Sequence, residues 1–285
     1  MIDSLSHYKP RFKKLICVDS DGCAIDSMTI KHERAFGPAI VEEWDLENIE
    51  SKLLKRWNDI NLYEITRGIN RFKGLERMLS ELVEQGIHIE GYEHIKQWVQ
   101  TTDAFSNPAL EKAISNNPQQ NGLQKALSWS HRVNAITKTL PSIGPFKNVQ
   151  TSLQNASTFA DIAIVSSANL AAVEYEWETY KLTDYLSGMF AQEAGTKEHC
   201  LAHLKQYYNL EDIIMLGDAK GDLEAAESHG MYFYPILASH EDQSWLDFNN
   251  KYLKLFKDGL FNQYTHDTLK PVSYTHLTLP TIYSV

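Results

Sequence analysis

The chain has 285 residues, 43% of them hydrophobic and 22% charged, and its 27 Lys+Arg against 37 Asp+Glu give a formal net charge of -10. That length suits an α/β core plus a second, smaller unit, while the ordinary composition excludes disorder. The acidic balance has the wrong sign for a protein that tracks a nucleic-acid backbone, and no apolar run approaches the roughly 20 residues of a bilayer span. The N-terminus lacks the apolar stretch of a secretory signal, and Cys17, Cys23 and Cys200 form neither a CxxC pair nor an even disulfide framework. The reading is a cytoplasmic protein with free thiols, no membrane segment and no nucleic-acid partner.

Four apolar runs punctuate the chain: Leu15 to Val18 stopped by Asp19, Ile162 to Val165 stopped by Ser166, Ile213 to Leu216 stopped by Gly217 and Asp218, and Met231 to Ile236, which contains Pro235. Helical periodicity fills the spacers, the pattern of a parallel sheet covered by helices, so the expected fold is a doubly wound, Rossmann-like α/β core. Ligands of such sheets bind beyond the carboxyl ends of the strands, so these polar stops point toward one crevice.

Between Ser27 and about Pro141 the apolar spacing is helical, as in Phe72, Leu75, Met78, Leu79, Leu82 and Val83, a helix expected to end near Gly86. A second helix is expected with Asn107 as N-cap and Pro108 at its first position, and a third from about Asn121 to Leu140, before Pro141. Residues 28–141 therefore read as an all-helical insert, and residues 1–27 with 142–271 as the core. Trp245, Phe248, Tyr252 and Leu255 lie at helical spacing within a further helix from Trp245 to about Leu269.

The chemistry concentrates after the strands. Asp19-Ser20-Asp21-Gly22 follows the first run, with Gly22 suited to a tight turn. DSDGCAIDS resembles the first motif of the haloacid dehalogenase-like superfamily, Ser166 after IAIV resembles its second, Lys197 in AGTKEHCL its third, and IIMLGDAKGDLEAAESHG, with Asp218 and Asp222, its fourth. The four occur in order and span about residues 13 to 237. Four converging carboxylates need a cation, since two of them about 5 Å apart repel by about 3 kcal/mol at an effective dielectric of 20. All-oxygen ligands and a phosphate substrate favour Mg2+.

The resemblance implies a role for each residue. Asp19 attacks phosphorus to form an aspartyl-phosphate, and Asp21 protonates the leaving oxygen and then activates water. Ser166 and Lys197 hold the phosphoryl oxygens, with Ser167 as the neighbouring alternative. Asp19, Asp218 and the Asp21 backbone carbonyl ligate the metal, with Asp222 behind them. An acid at position 21 is what dehalogenases lack there. Cys23 stands where Thr or Val is usual and reads as a packing substitution.

The helical insert occupies the place of the cap of phosphoglycolate-phosphatase-like and β-phosphoglucomutase-like relatives. Its basic cluster Arg67, Arg71 and Lys73 is expected to meet the non-reacting part of a small phosphorylated metabolite. Phosphate monoester hydrolysis is the expected activity. A phosphomutase using the same residues and a non-catalytic metabolite-binding protein on the same fold are the alternatives, the latter disfavoured because a pure binder has no need of two acids at positions 19 and 21. Finally, VSYTHLTLPT, from Val272 to Thr281, can be encoded by DNA resembling the adapter of transposase-based sequencing libraries, so residues 272–285 are expected to be a foreign tail.

Overall fold

The computed structural model describes residues 5–275, with side chains through residue 270. Five parallel strands form one sheet: β1 (Leu15–Val18), β2 (Asp161–Val165), β3 (Gly188–Phe190), β4 (Ile213–Gly217) and β5 (Tyr232–Pro235), in spatial order β3-β2-β1-β4-β5. The apolar runs are uninterrupted because both faces are covered. Ile16, Val18, Ile162, Ile164, Ile214 and Leu216 join one apolar cluster, and Leu15, Cys17, Ala163, Val165, Ile213 and Met215 join another. Each buried Leu, Ile, Val or Met among them contributes about 1.5–3 kcal/mol.

From β1 the chain builds outward through β2 to β3, then crosses to β4 and β5 on the other side. The carboxyl end of β1 is therefore the switch point of the sheet, where such folds leave a crevice. Pro235 is tolerated because β5 is an edge strand, where one row of backbone donors has no partner strand to serve.

The chain divides into two compact units, Thr29–Pro141 and the remainder. The first carries α2 (Gly37–Glu43), α3 (Glu50–Asn58), α4 (Arg71–Glu84), α5 (Tyr92–Thr101), α6 (Asn107–Asn116) and α7 (Asn121–Thr137), with the short α1 (Met28–Lys31) leading in. Its core stacks Phe36, Trp57, Phe72, Trp98 and Trp129. The second unit carries the sheet with α8 (Val149–Ala156), α9 (Leu170–Thr179), α10 (Lys197–Leu204), α11 (Lys220–Ser228), α12 (Glu241–Asp247), α13 (Leu253–Lys257) and α14 (Gln263–Thr275).

Several expected boundaries move. Ser106, not Asn107, caps α6: its Oγ accepts from Ala109 N at 3.3 Å, so Asn107 is already helical. Helix α7 stops at Thr137, three residues short of the expected end. The expected helix from Trp245 to about Leu269 is broken, because the chain leaves the helix at Asp258 and Gly259 takes a left-handed φ of 69° before α14 begins. Strand β3 carries only three residues, Gly188–Phe190, too short to show period or length in the sequence. The backbone of α14 runs into the segment read as a foreign tail as far as Thr275, and residues 276–285 lie outside the described residues. Among the described residues no helix is long and apolar enough to cross a membrane.

Candidate active site

Strands β2, β1 and β4 are neighbours in register, Val18 pairing with both Ile164 and Leu216, so the residues that follow them emerge side by side. Asp19 extends the ladder, its N–H donating to Leu216 O at 3.0 Å. Asp218 follows β4, and Asp222 lies in the first turn of α11, where its Oδ2 accepts from Ala219 N at 3.1 Å. Oxygens of Asp19, Asp218 and Asp222 all lie within 4.8 Å of one another, and all three residues are buried. A Cβ on Gly217 would fall on the Asp222 side chain, so only glycine lets that carboxylate swing in against the strand end.

Lys197 opens α10, whose N-cap Thr196 accepts from His199 N at 3.2 Å. Its ammonium lies 3.0 Å from Asp19 Oδ1 and also donates to Asp222 Oδ1. Burial alone would pull this ammonium's pKa down, but Asp19 and Asp222 outweigh it and the net shift is upward, so Lys197 stays charged. The Asp19 carboxyl is pushed up to about 8, first by burial and then by the Asp222 and Asp218 carboxylates, against the pull of Lys197. Three buried carboxylates and one ammonium leave the cluster short of positive charge. A compact set of hard oxygen donors with surplus negative charge fits a hard divalent cation.

Asp21 stands apart from that cluster. Its Oδ1 accepts from Ser27 Oγ at 2.6 Å, and the turn beneath it is closed by Gly22 at φ 79°, with Gly22 N donating to Ile25 O at 2.9 Å. Ser166 is buried, its Oγ accepting from Ala168 N at 3.2 Å, whereas Ser167 is exposed. Cys23 is fully buried. Burial and the Asp218, Asp19 and Asp222 charges hold its thiol well above the usual range, so it packs as a neutral group.

The basic cluster of the helical unit is engaged locally. Arg67 is buried and donates to Leu62 O at 2.9 Å. Arg71 donates to Asn134 Oδ1 at 2.7 Å and to Ser130 Oγ at 3.3 Å, tying α4 to α7, and Lys73 Nζ sits 4.5 Å from the Phe105 ring centroid.

Three supporting contacts were not anticipated, although Ser27 closes the first motif. Ser27 steadies Asp21, Trp177 Nε1 donates to Ser20 Oγ at 2.9 Å, and Trp245 Nε1 donates to the Cys23 carbonyl at 2.7 Å. The tryptophans come from α9 and α12, far along the chain from the loop they meet, and only the fold brings them there.

A parallel α/β sheet with an acidic crevice at its switch point defines a Rossmann-like enzyme class, and the family follows from a direct comparison. The family profile described as haloacid dehalogenase-like hydrolase matches residues 88–236, more than half of the chain, and the protein belongs to that family. The matched segment includes Ser166, Lys197, Asp218 and Asp222, while Asp19 and Asp21 lie upstream of it. No curated protein matches the sequence.

Similar solved structures include a haloacid dehalogenase-like family hydrolase from Xanthomonas campestris, 12% identical over 91% of this chain and 97% of that one, with a TM-score of 0.47. Another is a haloacid dehalogenase-like family protein from Streptococcus pneumoniae, 14% identical over 81% and 90% of the two chains, TM-score 0.43. A defluorinating L-2-haloacid dehalogenase is 14% identical over 80% and 82%, TM-score 0.39. At these values the likeness carries no argument about the reaction.

Proposed function

We propose that this hydrolase is a magnesium-dependent phosphatase acting on a small phosphate monoester. The observation that carries the reading is the buried Asp19, Asp218 and Asp222 cluster with Lys197 against it. Asp19 attacks phosphorus in line while the leaving oxygen takes a proton from Asp21, giving an aspartyl-phosphate. Asp21, now a base, deprotonates a water that attacks the phosphoryl group, releasing phosphate and restoring Asp19. Ser166 Oγ and the Lys197 ammonium hold the phosphoryl oxygens. Asp19, Asp218 and the Asp21 carbonyl would hold magnesium, which would supply charge neutralisation. Both oxygens of Asp222 accept hydrogen bonds, from Lys197 and Ala219, which supports a role behind the ligands.

The acid at position 21 is what favours phosphoryl over haloacid chemistry, because a leaving alkoxide needs a proton and a leaving halide does not. Residues 28–141 would act as the substrate-selecting cap, a role that rests on the charge of Arg67, Arg71 and Lys73. A cytoplasmic setting goes with the three buried free thiols. The test is a panel of phosphate esters with magnesium, followed by phosphate release. Release that vanishes in Asp19→Asn, with the fold retained, is the expected result. Isomerisation of a sugar phosphate without release would indicate a phosphomutase, halide release from haloacids a dehalogenase, and silence a binding protein.

A further inference from the structure

Asp19 and Asp21 must face the same crevice, one to attack and one to move protons, and they are separated by a single residue. Ser20, the residue between them, begins the turn that follows β1, and its side chain is held on the buried side, away from solvent. Ser20 and Trp177 are both fully buried. Trp177 Nε1 donates to Ser20 Oγ at 2.9 Å, while the Ser20 carbonyl accepts from Ala24 N at 3.0 Å and Ile25 N at 2.9 Å. At the far side of the same turn Trp245 Nε1 donates to the Cys23 carbonyl at 2.7 Å.

An indole N–H can only donate, and a buried hydroxyl needs a partner, so the match between Trp177 and Ser20 fixes the rotation of the residue between the two acids. We infer that Trp177 is a positioning residue for the Asp19 and Asp21 pair, acting through Ser20, with Trp245 anchoring the other end of the turn. This rests on the phosphatase reading for its effect on turnover, but not for its effect on the loop.

The contact runs from the last turn of α9 to the turn after β1 and touches no reacting atom. A loosened Ser20 lets the two carboxylates rotate out of their shared alignment. Binding groups elsewhere are untouched, so the deficit falls on kcat and not on KM. Misplacement of a reacting group on the scale of 1 Å costs on the order of 100-fold.

The test uses Trp177→Phe, Ser20→Ala and the double variant in the full chain, with Phe256→Leu as a core substitution away from the loop. Two readouts are taken: amide hydrogen exchange of the peptide covering residues 19–25, and kcat with KM on a phosphate ester that the wild type hydrolyses. The expected result is faster exchange in that peptide and a loss of roughly 10- to 100-fold in kcat with little change in KM. The double variant should be no worse than the worse single one, and Phe256→Leu should lower the melting temperature without either change. Unchanged exchange overturns the inference, as does full kcat in Trp177→Phe despite faster exchange, or single losses that multiply in the double variant. If the wild type hydrolyses no ester, the phosphatase reading fails by itself, and exchange in Trp177→Phe and Ser20→Ala still decides whether Trp177 holds the loop.

Discussion

Replacing Lys197 with methionine keeps the length and apolar stem of the side chain and removes only its charge. The ammonium lies 3.0 Å from Asp19 Oδ1. At that distance and an effective dielectric of 20 the gross attraction is about 5.5 kcal/mol, much of it offset by the desolvation of both groups. What the substitution exposes is the cost of leaving Asp19 and Asp222 buried without a counter-charge, about 3–5 kcal/mol. At roughly 2–4 °C per kcal/mol for a domain of this size, the melting temperature in EDTA should fall by about 6–20 °C. Magnesium should restore more stability to Lys197→Met than it adds to the wild type, because the variant's crevice is more negative and saturation at 100 times Kd gives about 2.7 kcal/mol. Turnover should stay low even with the metal bound, since Lys197 also holds phosphoryl oxygens in the proposed mechanism. Thermal scans of both proteins in EDTA and in magnesium chloride decide it. Equal melting temperatures in EDTA would refute the electrostatic account of this cluster, as would a magnesium gain no larger in the variant.

Asp21→Asn should bind magnesium like the wild type and turn over far more slowly, by roughly 100-fold or more, since it removes a general acid and base; calorimetry beside kinetics checks both, and near-native kcat would remove Asp21 from the mechanism. Gly217→Ala should displace Asp222 and lower magnesium affinity roughly 10- to 100-fold with the fold retained, read by calorimetry. The pH dependence follows from Asp19. Its folded value of about 8 lies above the usual carboxylate value of about 3.9, so between those limits the folded chain binds more protons than the unfolded one. Metal-free stability should therefore fall as pH rises from about 4 to 8 by more in the wild type than in Asp19→Asn, and a magnesium gain that does not grow with pH would contradict it. Arg71→Ala should raise KM for an extended natural ester more than for a small aryl phosphate, and equal effects would confine Arg71 to tying α4 to α7.

Much of the core was legible because its signals are local. Leu15–Val18 is buried on both faces and reads as an unbroken apolar run, and the polar residues after β1, β2 and β4 mark the end where the crevice lies. Gly22 and Gly86 both take left-handed φ values, 79° and 80°, where the chain was expected to turn or a helix to end. Gly188–Phe190 was invisible, since three residues carry no period, and its strand character comes from pairing with Ala163–Val165. The break before α14 was hidden because the apolar spacing continues across it. Ser106 was passed over for Asn107 because both are good capping residues, and only the backbone chooses between them.

The same division runs through the site. Asp19 and Asp218 could be picked out because they stop apolar runs, whereas Lys197 and Asp222 were picked out by their resemblance to the third and fourth motifs. Their mutual distances, and the groups that brace them, arise from packing between residues far apart in the chain. That packing also explains why the cluster is tolerated at all. An acidic crevice assembled on a rigid parallel sheet cannot relax by spreading its carboxylates, since Asp19 is locked into the ladder through Leu216 O and Asp222 is pinned by Ala219 N and Lys197. The repulsion is retained in the fold and answered by charge: in part by Lys197, in part by a proton on Asp19 when pH allows, and, in the proposed mechanism, by a cation. In the proposed mechanism a divalent ion would draw on energy already stored in the scaffold, so its affinity should track the number of carboxylates kept and not the strength of any one contact.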